Sequence, residues 1–270
     1  MTLKGSGRLR EVELQDGLTV LMPPIPGVVF TTRLGGTSAL PFASLNLSTS
    51  VGDDPASVAA NRRRVSEALG IPPRWAMARQ VHGCDVAVAG KAGETPEADA
   101  LVVTAQDLPV AVLVADCVPI ALGGPGVAGA VHAGWRGLCR GVVGAAVAAA
   151  GAGVTAWIGP CIGPCCFEVG PEVPARFAAA HPEAPGCSEV VGGTLRFDLR
   201  RAAALALVAA GATVAADPEV PCTSCDPRFF SHRGDRGTTG RQAVVTWRPS
   251  ISCARPPAPV AALGASLGGR

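Results

Sequence analysis

Tyrosine is absent from this chain of 270 residues, and only Lys4 and Lys91 are lysines. Alanine, glycine, valine and arginine dominate instead, a bias that carries no function by itself. Histidine is scarce as well. The chain has four, His82, His132, His181 and His232, none in a His-X-His pair, and that count excludes an assembly of blue and trinuclear copper, which needs many imidazoles. Charge of one sign is missing too. With 23 basic and 21 acidic residues the net charge is +2, too weak a field to recruit nucleic acid or an anionic membrane, so a small molecule is the expected partner. The uncharged segment 141–154 is mostly Ala and Gly and too short to span a bilayer. No signal-peptide core precedes residue 20, so a cytoplasmic location is expected.

What is present is a composition 48% hydrophobic, enough for a full core, and ten cysteines. A chain with such a core does not need disulfides, so free thiols and metal ligation are expected. Strands are expected at 28–32, 75–81, 84–89, 100–103, 109–115, 154–158 and 243–247, with 118–122 and 127–131 forming a hairpin. Helices are expected over 55–69, capped by Asp54 and stopped at Gly70, over 171–180, and over 198–210, capped by Asp198 and closed by Gly211. Arg62, Arg63 and Arg64 read as a solvated face. Strands and helices mix without a clean βαβ alternation, which favours an α+β fold of mixed sheets flanked by helices. Residues 1–247 are expected to form a single domain, and 248–270, rich in Pro, Ala, Gly and Ser, a disordered tail.

The most informative stretch is Val127-Ala-Gly-Ala-Val-His-Ala-Gly-Trp-Arg-Gly-Leu-Cys-Arg140. It reads as a strand ending at His132, a glycine turn that lets backbone approach a ligand closely, and a helix start at Arg136 suited to an anion. His82 and Cys117 also lie at strand ends beside small or turn-forming residues. If the three converge, two imidazoles and a thiolate make a zinc site with an open fourth position, the mark of a catalytic rather than a structural ion. Three unrelated core residues remain the alternative on spacing alone. Cys222 and Cys225 have zinc-ribbon spacing, but a partner pair would have to come from Cys161, Cys165 or Cys166, and buried small residues are the expectation for all of them.

A set of ordered blocks runs through residues 28–247: Thr32-Arg-Leu-Gly-Gly-Thr37, Ser44-Leu-Asn-Leu47, Val51-Gly-Asp-Asp-Pro55, Gln80-Val-His-Gly83, Ala115-Asp-Cys-Val-Pro119, His132-Ala-Gly-Trp-Arg-Gly137, Gly159-Pro-Cys-Ile-Gly-Pro164, Cys222-Thr223 and Thr239-Gly-Arg241. In this order they resemble the signature of the YfiH, or laccase-like "multicopper polyphenol oxidase", family. The resemblance implies a fold similar to the catalytic domain of cytotoxic necrotising factor, and zinc held at the positions of His82, Cys117 and His132. It further implies phosphorolysis of purine nucleosides, including adenosine, inosine and methylthioadenosine, with adenosine deamination. Two alternatives stand beside it: a peptidoglycan-precursor editing amidase, and a non-catalytic zinc-stabilised binding protein. Arg33, Gln80 and Arg136 are the candidates for binding phosphate and nucleoside. Where the family usually has tyrosine this chain has Phe167, and its Ser231-His-Arg-Gly234 departs from a Ser-Tyr-Arg-Arg block, which makes His232 a secondary candidate for hydrogen bonding or proton transfer.

Overall fold

Valine-rich strands without a polar face have to be covered on both sides. In the computed structural model, which describes residues 8–215 and 220–250, four layers do this. One six-stranded sheet runs in the order Arg10–Glu13, Thr19–Met22, Val28–Thr31, Gln242–Thr246, Val110–Val114, Ala76–Met77. A second runs Thr213–Ala215, Thr155–Ile158, Val118–Gly124, Val127–Ala133, Ala100–Val103, Val86–Val88. Both are mainly antiparallel, with parallel pairs at the Ala76–Met77 edge of the first and at both edges of the second. This is an α+β architecture with mixed sheets.

Side chains alternate across each strand, so one apolar run serves two cores. Phe30, Val110, Val112 and Val244 face the second sheet and meet Leu101, Ala121, Ala130 and Trp157. Val29, Ala111, Ala243 and Val245 face the other way, onto Leu45, Leu47 and the Val65 and Leu69 side chains of helix Pro55–Leu69. On the outer face of the second sheet Val118, Ile120, Val131 and Ala133 pack against Leu138, Val143, Phe177 and Leu207, from the helices Trp135–Cys139, Val142–Ala150, Glu172–Ala180 and Leu199–Ala209. Among the described residues no helix is long and apolar enough to cross a membrane.

The helix caps follow the local chemistry. Asp54 accepts the amides of Ala56 and Ser57, and Gly70 ends that helix in the left-handed region at φ 65°. Asp198 accepts the Arg201 amide. Three expectations need correction. The 75–81 strand shrinks to Ala76–Met77, and the residues beyond it run irregularly toward the site. The helix expected at Arg136 is the single short piece Trp135–Cys139, followed at Gly141 by a left-handed residue and then by Val142–Ala150. The arginine run is not simply solvated: Arg62 donates to the Leu47 carbonyl and Arg64 to that of Gly35, while Arg63 alone stays exposed beside Glu67. The expected tail lies outside the described residues beyond residue 250.

Candidate metal centre and its cleft

The hairpin Val118–Gly124/Val127–Ala133 sets the site. Its register pairs Pro119 with His132 and Val118 with Ala133, so at the open end Cys117 comes opposite Gly134. Cys117 is also the last residue of the corner Ala115-Asp116-Cys117, where the chain leaves the first sheet for the second. His82 arrives from the irregular segment after Ala76–Met77, its backbone in the left-handed region at φ 58°. The donor atoms of His82, Cys117 and His132 all lie within 4.8 Å of one another. The rings of His82 and His132 meet edge to face, centroids 4.7 Å apart. A Cβ on Gly134 would lie 3.0 Å from both Cys117 Sγ and His82 Cδ2, so only glycine lets the turn pass this close.

Asp99, which sequence reasoning missed, organises the cluster. Its buried carboxylate accepts the amides of Val81 (3.2 Å), His82 (3.0 Å) and Gly83 (2.6 Å), and lies 2.7 Å from His132 Nδ1. That bond fixes the ring with Nε2 directed at the cluster, as a carboxylate does behind a metal-binding histidine. The available signal was an acidic residue inside the apolar run Ala98-Asp-Ala-Leu-Val-Val103. Burial disfavours the Asp99 carboxylate, but the hydrogen bonds from His132 and the Gly83 amide hold its pKa down at about 2. Burial likewise opposes the Cys117 thiolate, yet the two imidazoles, His132 foremost, lower the thiol to about 6. Burial opposes the His132 imidazolium, and the thiolate and Asp99 together raise it to about 9. A thiolate and two imidazoles of this spacing, one oriented by a carboxylate, fit a zinc ion with one position left open.

The cluster forms the floor of a cleft of about 610 Å³. Gln80, Arg136 and His232 line it together with Arg79, Phe167, Arg233 and Arg241. Arg136 is exposed, stacks on Trp135 at 4.4 Å and makes no ion pair among the described residues. His232 is exposed on the rim. Two expected residues are used otherwise. Gln80 spends its amide on the backbone of Leu113, donating at 2.7 Å and accepting at 2.8 Å. Arg33 is not brought to the cleft: it donates to the Ala43 carbonyl at 2.8 Å and lies over the Phe230 ring. Behind Cys117, buried Asp116 (φ 86°) accepts Thr223 Oγ1 and Ser231 Oγ, each at 2.7 Å, and the Arg233 amide at 2.7 Å. The other cysteines also depart from expectation. Cys161 is buried, but Cys165 and Cys225 are exposed, and four thiols cluster there.

The family model described as "Multi-copper polyphenol oxidoreductase laccase" matches residues 27–249. The chain belongs to this family, of which the YfiH proteins are part. It is 44% identical over 232 residues to "Purine nucleoside phosphorylase ORF3" of Streptomyces griseus, covering 81% of this chain and 92% of that one. To "Purine nucleoside phosphorylase YlmD" of Geobacillus stearothermophilus it is 40% identical over 260 residues, covering 84% and 92%. The crystal structure of YlmD from that organism superposes with a TM-score of 0.79 at 37% identity, covering 89% of this chain and 100% of YlmD. Bacillus licheniformis YfiH superposes with a TM-score of 0.74 at 28% identity, covering 92% and 98%.

Proposed function

We propose that this chain catalyses the phosphorolysis of purine nucleosides, adenosine, inosine and methylthioadenosine, with zinc held by His82, Cys117 and His132. The observation that carries the reading is the meeting of that donor set with Arg136, which makes no ion pair among the described residues, in one cleft whose size suits a nucleoside and phosphate. The names of the relatives support it. A zinc ion held by these three residues would supply Lewis-acid polarisation of a substrate oxygen. Arg136 holds the phosphate. As a phosphate oxygen bonds to the anomeric carbon and the glycosidic C–N bond breaks, the departing purine needs a proton, and His232 is the rim group able to give one. Phe167 offers an apolar wall. Asp99 keeps His132 oriented, and Gln80 frames the cleft through Leu113 rather than touching substrate. A cytoplasmic setting would keep Cys117 reduced.

Adenosine deamination is the second activity in this reading: water adds to the purine carbon that bears the amino group, and that C–N bond breaks to release ammonia. An editing amidase would need a longer groove. The deciding experiment assays zinc-loaded protein of known metal content with each nucleoside, with and without phosphate, beside Cys117→Ala. Phosphate-dependent release of base and pentose phosphate, lost in Cys117→Ala, is expected, and ammonia release from adenosine without phosphate would mark the deaminase. No turnover of any nucleoside by fully metallated protein would overturn the proposal and leave the amidase and the non-catalytic binding protein. Arg136→Ala should raise the KM for phosphate about tenfold or more, with a smaller effect on the KM for nucleoside.

A further inference from the structure

Two chain segments far apart in sequence meet beside the cleft. Cys161 and Cys222 form a parallel bridge that aligns the turn beginning at Gly163 with the turn beginning at Cys222. The first turn carries the adjacent Cys165 and Cys166, the second the Cys222-Thr-Ser-Cys225 pair. All four sulfurs lie within 4.8 Å of one another, with Cys225 Sγ 3.3 Å from Cys166 Sγ and 3.6 Å from Cys165 Sγ. The sulfurs of a tetrahedral zinc tetrathiolate, at about 2.3 Å from the ion, sit about 3.8 Å apart.

Four further observations point to an ion and away from packing. The Gly163 amide donates to Cys222 Sγ at 3.1 Å, the N–H to sulfur bond that stabilises a coordinated thiolate. Gly163 is glycine for a reason at this spot: a Cβ there would lie 3.2 Å from Cys165 Sγ and from Cys222 Cβ. The outer residues, Cys165 and Cys225, are exposed, where thiols serving as small core residues would be buried. Two guanidinium groups flank the cluster, Arg196 on the Cys165 carbonyl and Arg233 on that of Cys166 at 3.3 Å, placed to offset the negative charge of four thiolates around a dication.

We propose that Cys165, Cys166, Cys222 and Cys225 bind a second zinc ion, separate from the His82 centre. With all positions filled by protein the site is structural. The ion displaces the thiol protons to solvent and ties the two turns together. These turns build the cleft: Ile162 and Phe167 flank the first, and Thr223 in the second holds Asp116 next to Cys117.

The test uses the full chain purified under reducing conditions without chelator. Elemental analysis is expected to find about two zinc ions per chain in the wild type, and about one in both Cys117→Ala and the Cys165→Ser/Cys225→Ser double variant. Cobalt substituted into the wild type should show the intense sulfur-to-metal charge-transfer bands of a tetrathiolate, and this measurement stands even if the double variant does not fold. Zinc content unchanged by Cys165→Ser/Cys225→Ser, or a cobalt spectrum with single-thiolate intensity, would each overturn the proposal.

Discussion

Asp99 receives three consecutive amides and the His132 ring on one buried carboxylate, so its removal loosens two of the three donors together. Asp99→Asn keeps the shape but turns an amide donor toward groups that are themselves donors. Zinc affinity should fall about 10–100-fold, measured by competition with a chromophoric chelator. Unchanged affinity would make Asp99 a bystander. At Cys117 the outcome is set by pH. Its folded pKa, about 6, is depressed below the ordinary thiol value, so its contribution to stability is complete above that ordinary value and is lost as pH falls through about 6. In metal-free protein the alkylation rate of Cys117, followed by peptide mass spectrometry, should therefore rise with a midpoint near pH 6, whereas an unperturbed thiol would give one near about 8.5.

Among the elements, helix Pro55–Leu69 does more than cover a sheet. Buried Asn61 accepts the Thr37 amide at 2.8 Å and donates to Ser38 Oγ (2.9 Å) and to the carbonyls of Ser44 (3.1 Å) and Asn46 (2.9 Å), pinning the irregular 37–46 segment. Asn61→Ala strands several of these partners in the interior and should destabilise the fold by about 3 kcal/mol, read from urea unfolding. Gly134→Ala acts on the candidate metal centre: its Cβ would press on Cys117 and His82, and zinc affinity should drop at least about tenfold. The elements legible in the sequence were those with a two-sided apolar run or a strong cap, such as Val110–Val114, the hairpin ending at His132 and the helices begun by Asp54 and Asp198. Ser188–Val191 and Thr194–Phe197 escaped because the first is exposed along its whole length and shows no alternation. Their signal was the turn, Gly192-Gly193, with φ of 59° and 82°. The donor residues could be singled out by type and position, but Asp99 could not, because its partners come from segments that only the folded sheets bring together; the Cys222/Cys225 spacing was visible too, but its pairing with Cys165 and Cys166 depends on the same long-range folding.

At the scale of the whole molecule, the two sheets meet without spare room at Gly159. A Cβ on Gly159, at the end of Thr155–Ile158, would fall 2.2 Å from Phe30 Cδ1 on the facing sheet. Gly159→Ala should lower stability by about 1–3 kcal/mol, seen as a lower urea midpoint with an unchanged m-value.

The three donors of the candidate centre also divide between the layers. His82 follows the edge strand of one sheet, His132 belongs to the other, and Cys117 stands at the corner between them. Neither sheet alone presents a binding set, so an ion has no complete site until the sandwich has closed. An ion at this centre would then enter as a late fastener rather than a template: in the Cys165→Ser/Cys225→Ser variant, refolding should proceed at the same speed with or without zinc, while escape from the folded state slows as zinc is added.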